Sequence, residues 1–275
     1  MIKKIAITKI SDFGQKTFTK EDLVAIEEPL EINLKSAEGE LFPLSVTMRT
    51  PGNDEDLALG FLFTEGVLFS RENINHEIPS KSGYNWIIIN LNKNFKPDLS
   101  KLKRNFYTSS SCGVCGKESI EAIKQVCKIP ITKPEIPVKM EILFSLSEKL
   151  LTVQKTFETT GGIHASALFD LDGNILYVRE DVGRHNALDK LIGAELLKYP
   201  AEDFSLQNRI VLLSGRASFE LIQKCAMAGV PIICAIGAPS SLAVETAENF
   251  GITLVGFLKN GNANIYCGAD KLDLN

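Results

Sequence analysis

The sequence has no excess of positive charge, no second pair of closely spaced cysteines and no long apolar run free of turn formers. Thirty Lys and Arg stand against 34 Asp and Glu, a net charge of −4. No overall field therefore draws nucleic acid or anionic lipid, and any anionic ligand must be held by a local site. Met1 to Ser11 carries Lys3, Lys4 and Lys9, which leaves no apolar core for a secretory signal. The longest uncharged stretch, Cys225 to Val244, is interrupted by Gly229, Pro231, Gly237 and Pro239. It reads as a helix end, a short buried strand and a capped helix start, not as a membrane span. The expectation is a cytoplasmic chain with no nucleic-acid or membrane partner.

What is present is a globular composition, 44% hydrophobic with fifteen Phe in 275 residues. At roughly 150 residues per domain this is two domains or one large one, ample for a buried core. No tandem repeat or low-complexity tail appears. In the first third, Asn53 to Asp56 sets capping and acidic groups before Leu57, Ala58, Phe61 and Leu62, with Gly66 as a stop, which predicts one amphipathic helix. Trp86 to Ile89 predicts a strand, and Asn90 to Asn105 a surface connection. Ile120, Ile123 and Val126 or Cys127 fall at helical spacing, and Pro137 precedes a second helical run through Ile142, Leu143, Leu146, Leu150 and Leu151.

From Ala165 the pattern changes. Ala165 to Phe169 and Ile175 to Val178 flank Asp172-Gly173, a hairpin signal, and a helix follows near Ala187 to Leu197. Apolar runs at Ile210 to Leu213, Ile232 to Ile236 and Ile252 to Phe257 alternate with helices over Phe219 to Met227 and Leu242 to Asn249. That alternation predicts buried parallel strands and an α/β core.

Six cysteines without an export signal read as thiols. Cys127, Cys225 and Cys234 sit among apolar neighbours and read as small core side chains. Cys112 and Cys115 differ: the segment Ser111-Cys112-Gly113-Val114-Cys115-Gly116-Lys117 has a cation nearby and a helix expected downstream, conditions that favour thiolate. Cys112 is then the candidate nucleophile. A structural turn or half of a zinc site is the bland alternative, but a tetrahedral site needs two more ligands. Zinc deamination would need His-x-Glu, whereas Ala165 and Ser166 follow His164. A zinc- or nucleotide-binding adaptor and a dithiol oxidoreductase stay open as rival readings.

Two further clusters, Thr159 to His164 and Arg179 to Lys190, offer Gly backbone N–H groups and the Arg184 guanidinium to an anion. Gly256 to Asn262 leaves Phe257, Lys259 and an Asn-Gly turn at the carboxyl edge of the sheet, where open α/β sheets bind ligands. Ser214 to Ser218 forms a similar strand-to-helix junction.

Taken in order, Arg49-Thr50-Pro51-Gly52, the cysteine pair, Thr160-Gly161-Gly162-Ile163-His164-Ala165, Glu180 to Ala187, Ser214 to Glu220 and Gly256-Phe257 resemble the FdhD family of formate dehydrogenase accessory sulfurtransferases. The resemblance implies a cytidine-deaminase-like core with a mixed or parallel sheet, here residues 106–275, beside a smaller N-terminal α+β subdomain over 1–105. It implies a sulfur carrier that accepts sulfur from a cysteine desulfurase as a persulfide on Cys112, with Cys115 as companion. The recipient it implies is the bis(molybdopterin guanine dinucleotide) molybdenum or tungsten cofactor, bound as substrate before insertion into formate dehydrogenase. No intrinsic metal is implied, and a homodimer is. The cofactor site carried over falls on Phe257, Leu258, Lys259, Asn260, Gly261 and Asn262. Lys259 stands where many relatives have Arg, which keeps the charge and loses the bidentate fork.

Overall fold

The computed structural model describes residues 1–75, 77, 80–98, 127, 129–198 and 204–274. Cys112, Cys115, the helix expected around Ile120 to Val126 and the end of the Asn90 to Asn105 connection lie outside the described residues.

Strands β1 (Ile2–Ser11) and β2 (Lys16–Ala25) pair antiparallel over ten residues each as a hairpin arm. A four-stranded sheet follows, built from β3 (Glu28–Lys35), β4 (Leu41–Arg49), β5 (Lys81–Ser82) and β6 (Trp86–Asn90) in the order β4-β3-β6-β5, with β3 and β6 parallel. Helix α1 (Asp54–Thr64) separates β4 from β5. Short β7 (Val138–Lys139) pairs with β14 (Leu272–Asp273) near the end of the chain. Helices α2 (Met140–Val153) and α3 (Lys155–Thr160) lead into the principal sheet.

That sheet contains β8 (His164–Phe169), β9 (Ile175–Asp181), β10 (Ile210–Leu213), β11 (Ile232–Ala235), β12 (Thr253–Lys259) and β13 (Asn262–Cys267). Their order is β13-β12-β11-β10-β8-β9. β10, β11 and β12 run parallel and β8 runs against β10, so the sheet is mixed. Helices α4 (Arg184–Leu196), α5 (Phe219–Met227) and α6 (Ser241–Phe250) connect the later strands.

Strand periodicity sorts the core onto two faces. Ile210, Leu212, Ile232, Cys234 and Val255 pack under α2 with Leu143, Leu146 and Leu150. Val211, Leu213, Ile233, Ala235 and Leu254 belong to the opposite cluster with α4, α5 and α6. This second cluster continues through α1 to Leu30, Ile32, Ile87 and Ile89 of the four-stranded sheet.

The expected elements of the α/β part are present. Gly173 (φ 77) forms the β8–β9 turn, where Asp170 Oδ1 accepts from Asp172 N and Asn174 N at 3.0 and 2.8 Å. Ser240 Oγ accepts from Ala243 N at 3.3 Å and caps α6. Two expectations need correction. Helix α1 is not amphipathic: Leu57, Ala58, Leu59, Leu62 and Phe63 are all buried because the helix lies between α4 and the four-stranded sheet. Asn53 occupies the N-cap position with φ 56, and its side chain makes no capping bond. Instead, Asp54 in the first turn receives both Arg49 Nε and Nη2, at 2.9 and 3.0 Å. No helix among the described residues is long and apolar enough to cross a membrane.

Candidate functional site at the carboxyl edge of the sheet

Parallel strands end on one edge, and the antiparallel β8 begins there, which brings His164 beside the exit of β10. Ser214 ties the two strands together: its N donates to Ala165 O at 2.9 Å and its Oγ accepts from Ala165 N at 2.8 Å. A Cβ on Gly215 would approach His164 Nδ1 to 3.3 Å, so the glycine allows the main chain to lie against the ring. Burial lowers the His164 pKa below the ordinary histidine range, and the neighbouring charges of Arg184 and His185 add to that shift.

Across β8, His164 pairs with Asp181 of β9. Asp181 is fully buried and accepts from Thr50 N at 3.1 Å and Gly183 N at 2.8 Å, while the Lys190 ammonium lies 2.7 Å away. Thr50 returns a bond from its Oγ1, accepting from Val182 N at 3.1 Å. This network holds the turn from Val182 into α4, where Arg184 and His185 stand. Arg184 Nε is buried and has no acceptor among the described residues. His185 Nε2 lies 3.3 Å from Ser218 Oγ and 3.7 Å from Glu220 Oε2. The His185 ring is the largest cause holding the Glu220 carboxyl down to about 2.

The Thr-Gly-Gly segment does not make the backbone anion cradle expected of it. Gly161 (φ 64) ends α3, and its N donates to Phe157 O at 2.8 Å. Gly162 N donates to Thr160 Oγ1 at 3.3 Å. Both donors are engaged, and a helix C-terminus carries the wrong end of the dipole for an anion.

The segment carried over as the cofactor site forms the exit of β12. Phe257 sits in the left-handed region at φ 54, its N donating to Gly237 O at 3.1 Å, where the β12–β13 register shifts. The bulge turns its ring outward, to 41% exposure. Leu258 points into the core. Asn260 and Gly261 both have positive φ, 51 and 69, between paired Lys259 and Asn262, the geometry of a two-residue type I′ hairpin. Asn262 Nδ2 donates to Asn260 O at 2.9 Å.

A cavity of about 650 Å³ joins these pieces. Gly161 to His164, Val182, Ser214, Ile236, Lys259 and Asn260 line it from the sheet edge, together with Ser147, Glu148, Leu151, Gln154 and Phe157 of the α2–α3 segment. The volume lies in the range of small-molecule sites, about 300–1,000 Å³. The contribution of α2 and α3 to a site was not expected from the sequence, where Ile142, Leu143, Leu146, Leu150 and Leu151 marked only a helical run. The unread signal was Ser147 and Gln154, which share a face with Leu151 at spacing i, i+4, i+7. Phe257 is not among the cavity's lining residues, nor are Arg184, His185 and Arg216.

The described cysteines are poorly suited to sulfur chemistry. Burial pushes Cys127 and Cys234 up to about 12, raises Cys225 further, and raises Cys267, whose Sγ donates to Ile252 O at 3.2 Å. Such groups are thiols at neutral pH, whereas the nucleophile is thiolate.

Fold and site thus define a mixed α/β protein with a ligand cavity at the carboxyl edge of its main sheet. The model of the FdhD/NarQ family matches residues 25–273, and the chain belongs to that family. It is 45% identical over 265 residues to the sulfur carrier protein FdhD of Streptomyces coelicolor, covering 93% of this chain and 91% of that one. It is 43% identical over 251 residues to the protein of the same name from Picrophilus torridus, covering 91% and 92%. The fold matches the crystal structure of a candidate formate dehydrogenase accessory protein from Desulfotalea psychrophila, with a TM-score of 0.74, 23% identity and 99% of each chain covered.

Proposed function

We propose that the chain is a sulfur carrier that loads Cys112 as a persulfide from a cysteine desulfurase. It delivers that sulfur to the bis(molybdopterin guanine dinucleotide) molybdenum or tungsten cofactor, its substrate, before insertion into formate dehydrogenase. Family membership supports sulfur carriage. The observation that supports the persulfide assignment to Cys112 is the burial of Cys127, Cys225, Cys234 and Cys267, which raises their pKa and suits none of them to act as a competing thiolate.

In the loading step the Cys112 thiolate attacks the outer sulfur of the desulfurase persulfide. A new S–S bond forms on Cys112, the donor's S–S bond breaks, and the donor cysteine leaves as thiolate, with no net oxidation. The carboxyl edge suits a large anionic substrate with planar ends. Lys259 stands at the cavity, Arg184 Nε lacks an acceptor among the described residues, and Phe257 presents an exposed ring for stacking. The finer fold reading, a cytidine-deaminase-like core, is supported by parallel β10, β11 and β12 flanked by antiparallel β8 and β13 in a sheet with helices on both faces. A homodimer in the cytoplasm completes the reading.

The test is peptide mass spectrometry after incubation with an active cysteine desulfurase and cysteine. A one-sulfur gain on the Cys112 peptide, removed by reductant and absent from Cys112→Ser, is the expected result; no gain overturns the proposal. Undiminished sulfur delivery by Cys115→Ala would assign Cys115 a purely structural part.

A further inference from the structure

Strands β1 and β2 pair without a bulge from Ile2–Ala25 to Ser11–Lys16, ahead of most of the residues that the family model matches. A two-stranded ribbon is marginal in water unless something packs on it. Alternation along the strands gives this one two faces. The face with Ile7, Lys20, Asp22 and Val24 is half-buried, and β2 runs beside α3. The opposite face carries Ile2, Ala6, Thr8, Ile10, Thr17 and Thr19, all exposed, and its charges are paired as Lys4–Glu21 at 3.5 Å. The four-stranded sheet also has an open side. Leu30, Ile32, Ile87 and Ile89 fill its inner face against α1. On its outer face Val46 and Trp86 flank Glu31, and Met48 stands opposite Pro29. Val46, Met48 and Trp86 are 66%, 48% and 40% exposed, an apolar surface of the kind that marks an interaction site. Within one chain the two open faces leave each other uncovered.

We infer that the open face of the arm seats on the outer sheet face of a second copy of the chain, and that the exchange is reciprocal, so that two arms clasp a dimer. Shape, size and charge all favour this occupant. Both surfaces are pleated, and the small side chains of Ala6, Thr8, Thr17 and Thr19 let two sheets approach to the usual spacing of about 10 Å. A ten-residue ribbon is roughly 33 Å long and about 10 Å wide. Two seated arms then cover roughly 1,300 Å² counted on both partners, within the range of about 1,200–2,000 Å² of specific interfaces. Five Lys against three Asp and Glu give residues 1–25 a charge of +2, so the rest of the chain carries −6. The arm is therefore attracted to the body of another copy. A two-fold axis uses each surface once on each partner, which closes the assembly at two. This clasp deepens the proposed homodimer and rests on it.

Sedimentation velocity on the full chain tests it with one variant on each face, Ile10→Asp on the arm and Val46→Asp on the sheet. The wild type is expected to be a dimer, and each variant to dissociate at least about tenfold more readily. Mixing the two variants is the decisive step. Each variant alone forms a dimer with no intact seat, whereas the mixed dimer has one, made by the unaltered arm of the Val46→Asp chain on the unaltered sheet of the Ile10→Asp chain. The mixture should therefore associate more tightly than either variant. Should Ile10→Asp or Val46→Asp lose its fold, Thr17→Glu and Met48→Glu on the same faces carry the comparison. A dimer that either variant leaves intact, or a mixture no tighter than its components, overturns the clasp. A monomeric wild type overturns the clasp and the homodimer together. Persulfide loading of Cys112 on the same preparations separates the levels: loading with an arm-independent dimer rejects the clasp alone, and absent loading in the wild type rejects the sulfur-carrier reading. Loading impaired by the variants while the dimer stays intact would give these faces to the desulfurase and overturn the clasp.

Discussion

The Lys190 ammonium lies 2.7 Å from Asp181 Oδ2, with both side chains at 1% exposure or less, at the point where the N-terminal segment meets the candidate site. Lys190 also donates to Thr50 O at 2.8 Å, so the pair clamps Thr50 against the turn that begins α4. Burial pulls the Lys190 pKa down while Asp181 holds it up. Removing one partner strands a buried charge, which costs about 3–5 kcal/mol. Lys190→Met is expected to lose that much stability in urea unfolding. The double variant with Asp181→Asn should lose less than the sum of the two singles.

Helices α1 and α4 cross glycine to glycine. A Cβ on Gly60 would stand 1.8 Å from Asp189 O, and one on Gly193 would stand 1.9 Å from Asp56 O. Both obstacles are main-chain atoms that cannot rotate aside. Gly→Ala adds about 1 kcal/mol of helix propensity, but overpacking against backbone costs about 3 kcal/mol or more. Gly60→Ala and Gly193→Ala should each be clearly destabilised in chemical denaturation; a gain in stability would show that the crossing is looser than the structure has it.

Much of the α/β part was legible because its signals are local. Asp172-Gly173 marks the β8–β9 turn, and the buried runs around Leu212, Ile233 and Val255 mark strands hidden on both faces. The β1–β2 arm was not legible, because its residues are largely exposed and no burial pattern marks them; Ile10 is 65% exposed and Phe13 fully so. Asn260-Gly261 announced a turn, yet the left-handed Phe257 three residues earlier depends on a bulge that no residue type there demands.

His164 makes the site sensitive to acid. Its folded pKa lies below the ordinary value of 6.5, chiefly through burial and then through Arg184 and His185. As pH falls below about 6.5 the unfolded chain takes up this proton before the folded one, so stability declines over that window. Above it both states are neutral and the residue adds nothing to the pH dependence. The difference in unfolding free energy between the chain and His164→Gln should shift against the wild type between pH 7 and 5. Arg184→Ala should move the His164 titration, followed by NMR, back toward the ordinary value without restoring it fully. An unmoved titration would separate Arg184 from the site.

Phe257 trades backbone comfort for an exposed ring. A non-glycine residue in the left-handed region costs about 1–2 kcal/mol, while glycine in a strand gives back about 0.5–1 kcal/mol of conformational entropy. Phe257→Gly should therefore be as stable as the wild type or up to about 1 kcal/mol more stable. If the ring stacks on the planar part of the cofactor, the same variant should bind it about tenfold more weakly. Phe257→Leu keeps the strain and loses the ring, so it should lose affinity without gaining stability. Thermal unfolding and cofactor binding measured on both variants decide the matter: a destabilised Phe257→Gly with intact binding would make the ring a packing element and remove it from the site.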